Sequence, residues 1–367
     1  MKKRYGLLMS MVLAAGTLLS ACGGGEEEGS GDAGEKKDDS FKVAMVTDTG
    51  GVDDKSFNQS AWEGLTKFGK DHDLKEKEGY TYLQSNAQSD YRPNLNNLIR
   101  QGYDLVFGIG FLMQQDIQEV ANQQKDAQLA LVDSVAVGED GKPLENVASI
   151  TFKEHQGSFL VGLVAGLQSK TNKVGFIGGV ESELIKKFES GFKAGVLTAN
   201  PDAEIMVQYA GDFNDAAKGA TIASTFYGKG ADIIYHAAGG TGTGVFTEAI
   251  NQKKNGKDVW VIGVDRDQFA EGIYDKANNK SVTLTSMVKR VDTAVYEVSK
   301  QTMEGNFPGG EVVEFGLDED GVGIAPTKDN VSEEALKMVE EYKEKIVNGD
   351  VKVPKTDKEF ETFKSEM

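Results

Sequence analysis

From residue 41 onward, short apolar runs alternate with longer stretches in which apolar residues recur every three or four positions. The short runs predict strands and the longer period predicts helices. Strands are predicted at 43–47, 80–84, 104–109, 128–133 and 147–152, with helices at 56–70 and 91–101; in the second helix Leu95, Leu98 and Ile99 share a face. A second set follows, with strands at 173–177, 204–209, 232–235 and 259–264 and a helix at 183–198. A last helix at 333–348, rich in Glu and Lys, is expected on the outside. Alternation of β and α predicts parallel sheets with helices on both faces. Two such sets in series predict two similar lobes, with crossings near 152–156 and 280–290. Chains beyond about 250–300 residues split into domains, which agrees with two lobes.

In open parallel sheets, ligands sit beyond the carboxyl ends of the strands. Polar residues directly after the predicted strands are therefore the ones to weigh: Asp48, Gly110-Phe111, Asp133, His236 with its glycines, and Asp265. The richest segment runs from Thr47 to Gln59. Its glycines permit a tight turn. Ser56 is expected to cap the following helix, which puts Phe57, Asn58 and Gln59 in its first turn. A phenyl ring beside Asn and Asp suits a flat ligand with polar edges; equally, Phe57 could be core in an ordinary capped loop. Asp53 and Asp54 read as loop solvation.

The first residues carry an address. Lys2, Lys3 and Arg4 precede an apolar stretch at 7–19 that is too short to span a bilayer comfortably. It ends in Leu19-Ser20-Ala21-Cys22, which resembles the lipobox of bacterial lipoproteins. Cys22 is the only cysteine, so no internal disulfide is possible, and acylation would use up the odd thiol. Residues 1–21 are expected to be a signal peptide and 22–40 an acidic, Gly-rich tether behind a lipidated Cys22, too poor in apolar residues to fold. The formal charge of −18 becomes −21 when Lys2, Lys3 and Arg4 leave with the leader, which contains no acid. Such a surface repels nucleic acid and anionic lipid and favours a neutral or cationic ligand.

Asp48-x-Gly50-Gly51-x-x-Asp54-Lys55-Ser56-Phe57-Asn58-Gln59, then Gly110-Phe111, Asp133-Ser134, Ala238-Gly239-Gly240-Thr241-Gly242 and Gly263-Val264-Asp265-x-Asp267-Gln268, resembles in order the basic membrane protein family. These are purine-nucleoside-receptor-type lipoproteins of ABC transporters, and the resemblance covers the chain after the tether. It implies an α/β type I periplasmic-binding-protein fold: two Rossmann-like lobes with parallel sheets, joined by hinge strands and closing on a nucleoside. The lobes are expected at 41–153, with a C-terminal return at about 286–367, and at 154–285. The resemblance further implies that Phe57 stacks on the base, Asn58 bonds its edge, Asp48 and Asp133 lie close to it, Asp265 accepts from ribose hydroxyls, and Lys289 completes the cleft. A second aromatic stacking group is implied, for which Tyr235 and His236 are both candidates. Gly240 and its neighbours are expected to bring backbone close to the ligand, although the segment is neither a P-loop nor Gly-x-Gly-x-x-Gly.

His72, His155 and His236 have no metal-ligand spacing, and the chain carries no Gly-x-Ser-x-Gly or His-Glu-x-x-His motif. No cofactor, metal or catalytic residue is expected, and a nucleoside hydrolase would need an acid cluster that is not evident. The expected function is a lipid-anchored, extracytoplasmic binding protein on the cell membrane. It would act as a monomer, hand a nucleoside to ABC permease subunits, and bind no nucleic acid. The competing readings are a pentose or autoinducer receptor and a ligand-sensing regulatory lipoprotein.

Overall fold

A computed structural model describes residues 40–367; the expected leader, Cys22 and the tether up to residue 39 lie outside the described residues. The first half runs β1 (Val43–Val46), α1 (Phe57–Asp71), β2 (Tyr80–Leu83), α2 (Tyr91–Arg100), β3 (Leu105–Ile109), α3 (Gln114–Gln123), β4 (Gln128–Val132) and β5 (Val147–Phe152). The chain then crosses into α4 (Glu154–Gln168), β6 (Lys173–Gly178), α5 (Glu183–Ala199), β7 (Glu204–Tyr209), α6 (Ala216–Gly228), β8 (Ile233–Ala237), α7 (Thr241–Lys254) and β9 (Trp260–Asp265). A small hairpin, β10 (Ile273–Asp275) and β11 (Lys280–Ser281), leads to β12 (Thr283–Lys289). The remaining elements are α8 (Val291–Met303), β13 (Val312–Phe315), β14 (Val322–Ile324), α9 (Glu333–Val347) and α10 (Asp357–Ser365).

Two six-stranded sheets result, ordered β13-β5-β4-β3-β1-β2 and β14-β12-β9-β8-β6-β7. Every pairing within them is parallel except β12 with β14. The central strands are buried along their whole length, as Leu105–Ile109 is, because helices cover both faces.

The polypeptide passes between the halves after Phe152, after Lys289, and between Phe315 and Val322. The third passage has no counterpart in the sequence-based reading, since β13 and β14 are short and half exposed. The expected return of 286–367 to the first lobe is corrected in part. Helix α8 packs on α1, where Gly64 admits the Asp292 backbone and Asp292 N donates to Ser60 Oγ at 3.2 Å, and β13 extends the first sheet. Strands β12 and β14, however, belong to the second sheet, α9 packs on α4 and α10 on α5. The apolar faces of α9 and α10 match those helices, which the period alone could not reveal.

Helix α4 was absent from the prediction. It is apolar nearly all round and lies buried between α5 and α9, so it carries no amphipathic contrast. Gly162 and Gly195 sit where a Cβ would strike the facing backbone, which fixes the close α4–α5 approach. Among the described residues, no helix is long and apolar enough to cross a membrane.

Candidate functional site

The carboxyl ends of both sheets face one cleft with about 530 Å³ of atom-free space, open solvent included. Its lining includes Asp48, Asp54, Phe57, Asn58, Gly110, Phe111 and Asp133 from the first lobe. From the second come Phe188, Phe213, Gly239, Asp265 and Lys289. Of the residues singled out from sequence, the structure thus brings together Asp48, Phe57, Asn58, Asp133, Asp265 and Lys289.

Tyr235, His236 and Gly240 are not among the lining residues, and the reading that placed them there is corrected. The Tyr235 ring is fully buried against Phe176 and Phe192, with its hydroxyl 3.1 Å from Ser158 Oγ. His236 is also fully buried, edge-on to Phe246, and lies where a Cβ on Gly242 would be. Burial lowers its imidazole to about 4, and Nε2 is 3.2 Å from Gln268 Oε1. Gly240 instead makes room for Phe213 O and Asn214 Oδ1, 3.3 and 3.2 Å from where its Cβ would stand. The glycines serve packing between a loop and a helix. Phe213, from the loop after β7, and Phe188, from α5, are the aromatics that reach the cleft from this side, and sequence reasoning missed both. For Phe213 the available signal was its place in the loop that follows a strand, four residues after Tyr209.

The cap of α1 also differs from expectation. Ser56 makes no side-chain cap bond. Asp54 does that work: it is buried and accepts from Ser56 N, Asn58 N and Gln59 N at 2.9, 2.8 and 3.1 Å. It is structural machinery rather than loop solvation. Asn58 Nδ2 donates to Asp48 Oδ1 at 2.7 Å and to Asp54 Oδ2 at 3.0 Å, so the Asn58 amide is pinned between two carboxylates. The freed Ser56 hydroxyl donates across the cleft to Asp265 Oδ2.

Asp133 and Asp265 both stand in the left-handed region, with φ of 69° and 64°. Held conformations of this kind carry strain and concentrate at functional sites. Lys289, at the end of β12, reaches Asp133 Oδ2 at 2.6 Å and lies 3.9 Å from Glu154 Oε1. Its ammonium also lies 4.8 Å from the centre of the Phe57 ring. Burial alone would lower the Lys289 amine, but Asp133, Glu154 and Asp265 together raise it. The other oxygen of Asp133 is buried with no partner and is open to a ligand donor.

Burial pushes the Asp48 carboxyl from 3.8 up to about 7, against lowering hydrogen bonds from Gly50 and Asn58. Burial likewise pushes Asp265 up to about 6, while Lys289 and Ser56 restrain it. Each folded pKa exceeds the unfolded value. The folded chain therefore binds protons that the unfolded chain has released. The stability these two groups add is complete below about 3.8 and is lost as pH rises through about 6 to 7. Burial thus disfavours the charged form of both carboxyls, a setting that suits N–H and O–H donors on a ligand. Among the described residues, no group of three or more His, Cys, Asp and Glu is arranged to hold a metal ion.

A family profile described as ABC transporter substrate-binding protein PnrA-like matches residues 41–357. The chain is 54% identical to a CD4+ T-cell-stimulating antigen of Listeria innocua, covering 96% of this chain and 99% of that one. It is 44% identical to the ABC transporter nucleoside-binding protein BmpA of Lactococcus lactis, with the same two coverages. Among solved structures, an ABC transporter solute-binding protein from Aeropyrum pernix superposes with a TM-score of 0.76 at 26% identity, covering 88% of this chain and 96% of that one. The fold is the type I arrangement of periplasmic solute-binding proteins.

Proposed function

Since the chain belongs to the PnrA-like family of ABC transporter substrate-binding proteins, a family of solute binders rather than enzymes that work outside the cytoplasm with a permease, we propose that its cleft closes on a purine nucleoside and presents it for import. One observation carries this reading: phenyl rings from both lobes, Phe57 and Phe213, line the same cleft as four carboxylates and one amine. A nucleoside offers a flat apolar face to the rings and donors to the acids. A free pentose would leave the aromatic surface unmatched. In this reading Phe57 and Phe213 flank the base, and Asn58 and Asp48 meet its edge. Asp265 accepts from the ribose hydroxyls, and Asp133 and Lys289 close the floor. Lobes built on the two sheets move about the three crossings.

Thermal unfolding tests the ligand class. Inosine, guanosine or adenosine at about 100 times its dissociation constant stabilises by roughly 2.7 kcal/mol, so the melting temperature should rise, while ribose at equal concentration should leave it unchanged. A rise with ribose and none with any nucleoside would transfer the proposal to a pentose.

We also propose that Cys22 is acylated after removal of residues 1–21, and that the tether holds a monomeric binding domain at the outer face of the cell membrane. The support is the Leu19-Ser20-Ala21-Cys22 sequence behind a basic and then apolar leader. Cys22→Ser should shift the protein out of the mature membrane-bound fraction, either as uncleaved precursor or as shed protein. Equal amounts of mature protein retained at the membrane would count against an anchor.

A further inference from the structure

The glycine-rich segment at the start of α7 meets the cleft at Gly239 and is tied to a loop that also lines it. Thr241, the first residue of that helix, is fully buried. Its backbone N donates to Phe213 O at 3.1 Å. Its Oγ1 donates to Asp212 O at 2.9 Å and accepts from Asp215 N at 2.8 Å. Gly239 and Gly240 leave space for this loop, since a Cβ on either would stand 3.2 Å from Phe213 O or Asn214 Oδ1. Residues 212–215 are therefore mounted on one residue at three points, two of them through its hydroxyl.

The loop follows β7, the edge strand at the opposite end of its sheet from β12 and β14, the strands next to two of the crossings. Here it touches the first lobe twice. Asn214 Nδ2 donates to Thr49 O at 3.1 Å, and Phe213 meets Phe111 edge-on with ring centres 6.2 Å apart. A rotation about the crossings displaces this edge more than any other part of the second sheet. A hydrogen bond tolerates less than an ångström of that displacement. Asn214 itself is not among the cleft-lining residues.

We propose that residues 212–215 form a mouth latch: Thr241 positions the loop, and Asn214 fastens it to Thr49 when the lobes close, so that the pair sets how long a ligand is held. This rests on the reading that the lobes close on a ligand, not on the ligand's identity. A latch made after closure acts on escape rather than on encounter. Losing one net hydrogen bond corresponds to a change of roughly two- to tenfold.

The test is stopped-flow binding of inosine to Asn214→Ala, Thr241→Val and Thr241→Ser, beside interlobe distances from paired spin labels with and without inosine. Asn214→Ala and Thr241→Val should release inosine roughly two- to tenfold faster, with association changed less than about twofold and the closed population reduced. Thr241→Ser keeps the hydroxyl and should behave as the unaltered protein. Loss of affinity expressed in association alone, or failure of Thr241→Ser to restore slow release, would reduce Thr241 to a fold-supporting residue and overturn its positioning role. No difference between Asn214→Ala and the unaltered protein in release or in distances overturns the latch. If the unaltered protein ignores inosine while Asn214→Ala still shifts the distances, the latch stands and the nucleoside reading fails.

Discussion

Lys289→Met should lower the melting temperature of the ligand-free protein substantially at neutral pH. Methionine fills a similar volume, so the change is chiefly one of charge. The Lys289 side chain is 2% exposed, and its ammonium lies among Asp133, Glu154 and Asp265. Removing one partner of a buried ion pair leaves an uncompensated charge and costs about 3–5 kcal/mol. With an unfolding entropy near 2.1 cal/mol/K per residue, that is roughly 4–7 °C for a chain of this size. Lys187, 3.1 Å from Glu154, can support that carboxylate but not Asp133. The deficit should also depend on pH with a definite sign. Without the amine, the Glu154 and Asp265 carboxyls, which burial raises and Lys289 holds down, rise further and take up protons at acid pH. The variant should therefore approach the parent in stability near pH 5 and diverge from it at pH 8. Calorimetry at both values checks this. An equal melting temperature at pH 8 would mean that Lys289 is only as important as an exposed lysine.

Asp265→Asn should produce the largest selective loss of nucleoside affinity. The substitution keeps the shape of a residue already tied to Ser56, but exchanges an ionised acceptor for a neutral amide. Hydrogen bonds to charged groups contribute about 1.5–3 kcal/mol, so affinity should fall roughly 10- to 150-fold. Phe57→Ala is the contrast, because it removes ring stacking and not sugar contacts. It should weaken a nucleoside and its free base alike, whereas Asp265→Asn should weaken the nucleoside far more than the base. Part of the affinity should also fall as pH drops below about 6 in the parent, where Asp265 takes a proton, and that part should vanish in Asp265→Asn. Unchanged nucleoside binding in Asp265→Asn would make the residue a structural partner of Ser56 and no more.

Much of this arrangement was legible in the sequence, for reasons that can be traced to particular residues. Strands such as Leu105–Ile109 stand out because they are apolar and bounded by turns. Once the strands are placed, the rule that ligands gather at their carboxyl ends points to Asp48, Asp133 and Asp265 directly. Periodicity could not find α4, which is buried on every side, or the third crossing through β13 and β14. It also could not tell Tyr235 and His236 from Phe213. All three lie at or beyond the ends of strands of the second sheet, but the first two belong to β8, buried along its whole length. Phe213 sits on a loop whose course depends on Thr241, a contact spanning nearly thirty residues of chain. Asp54 was misread because a cap that reaches four and five residues ahead replaces the usual serine cap.

The central claim is that the cleft recognises base and sugar together. Isothermal titration of protein that has been unfolded, dialysed free of ligand and refolded tests it most directly, using inosine, hypoxanthine and ribose in parallel. The account predicts that inosine binds far more tightly than either of its halves, because only the whole nucleoside engages the Phe57 and Phe213 rings and the Asp265 carboxylate at once. Ribose binding as tightly as inosine, or inosine giving no heat while ribose saturates, would contradict it.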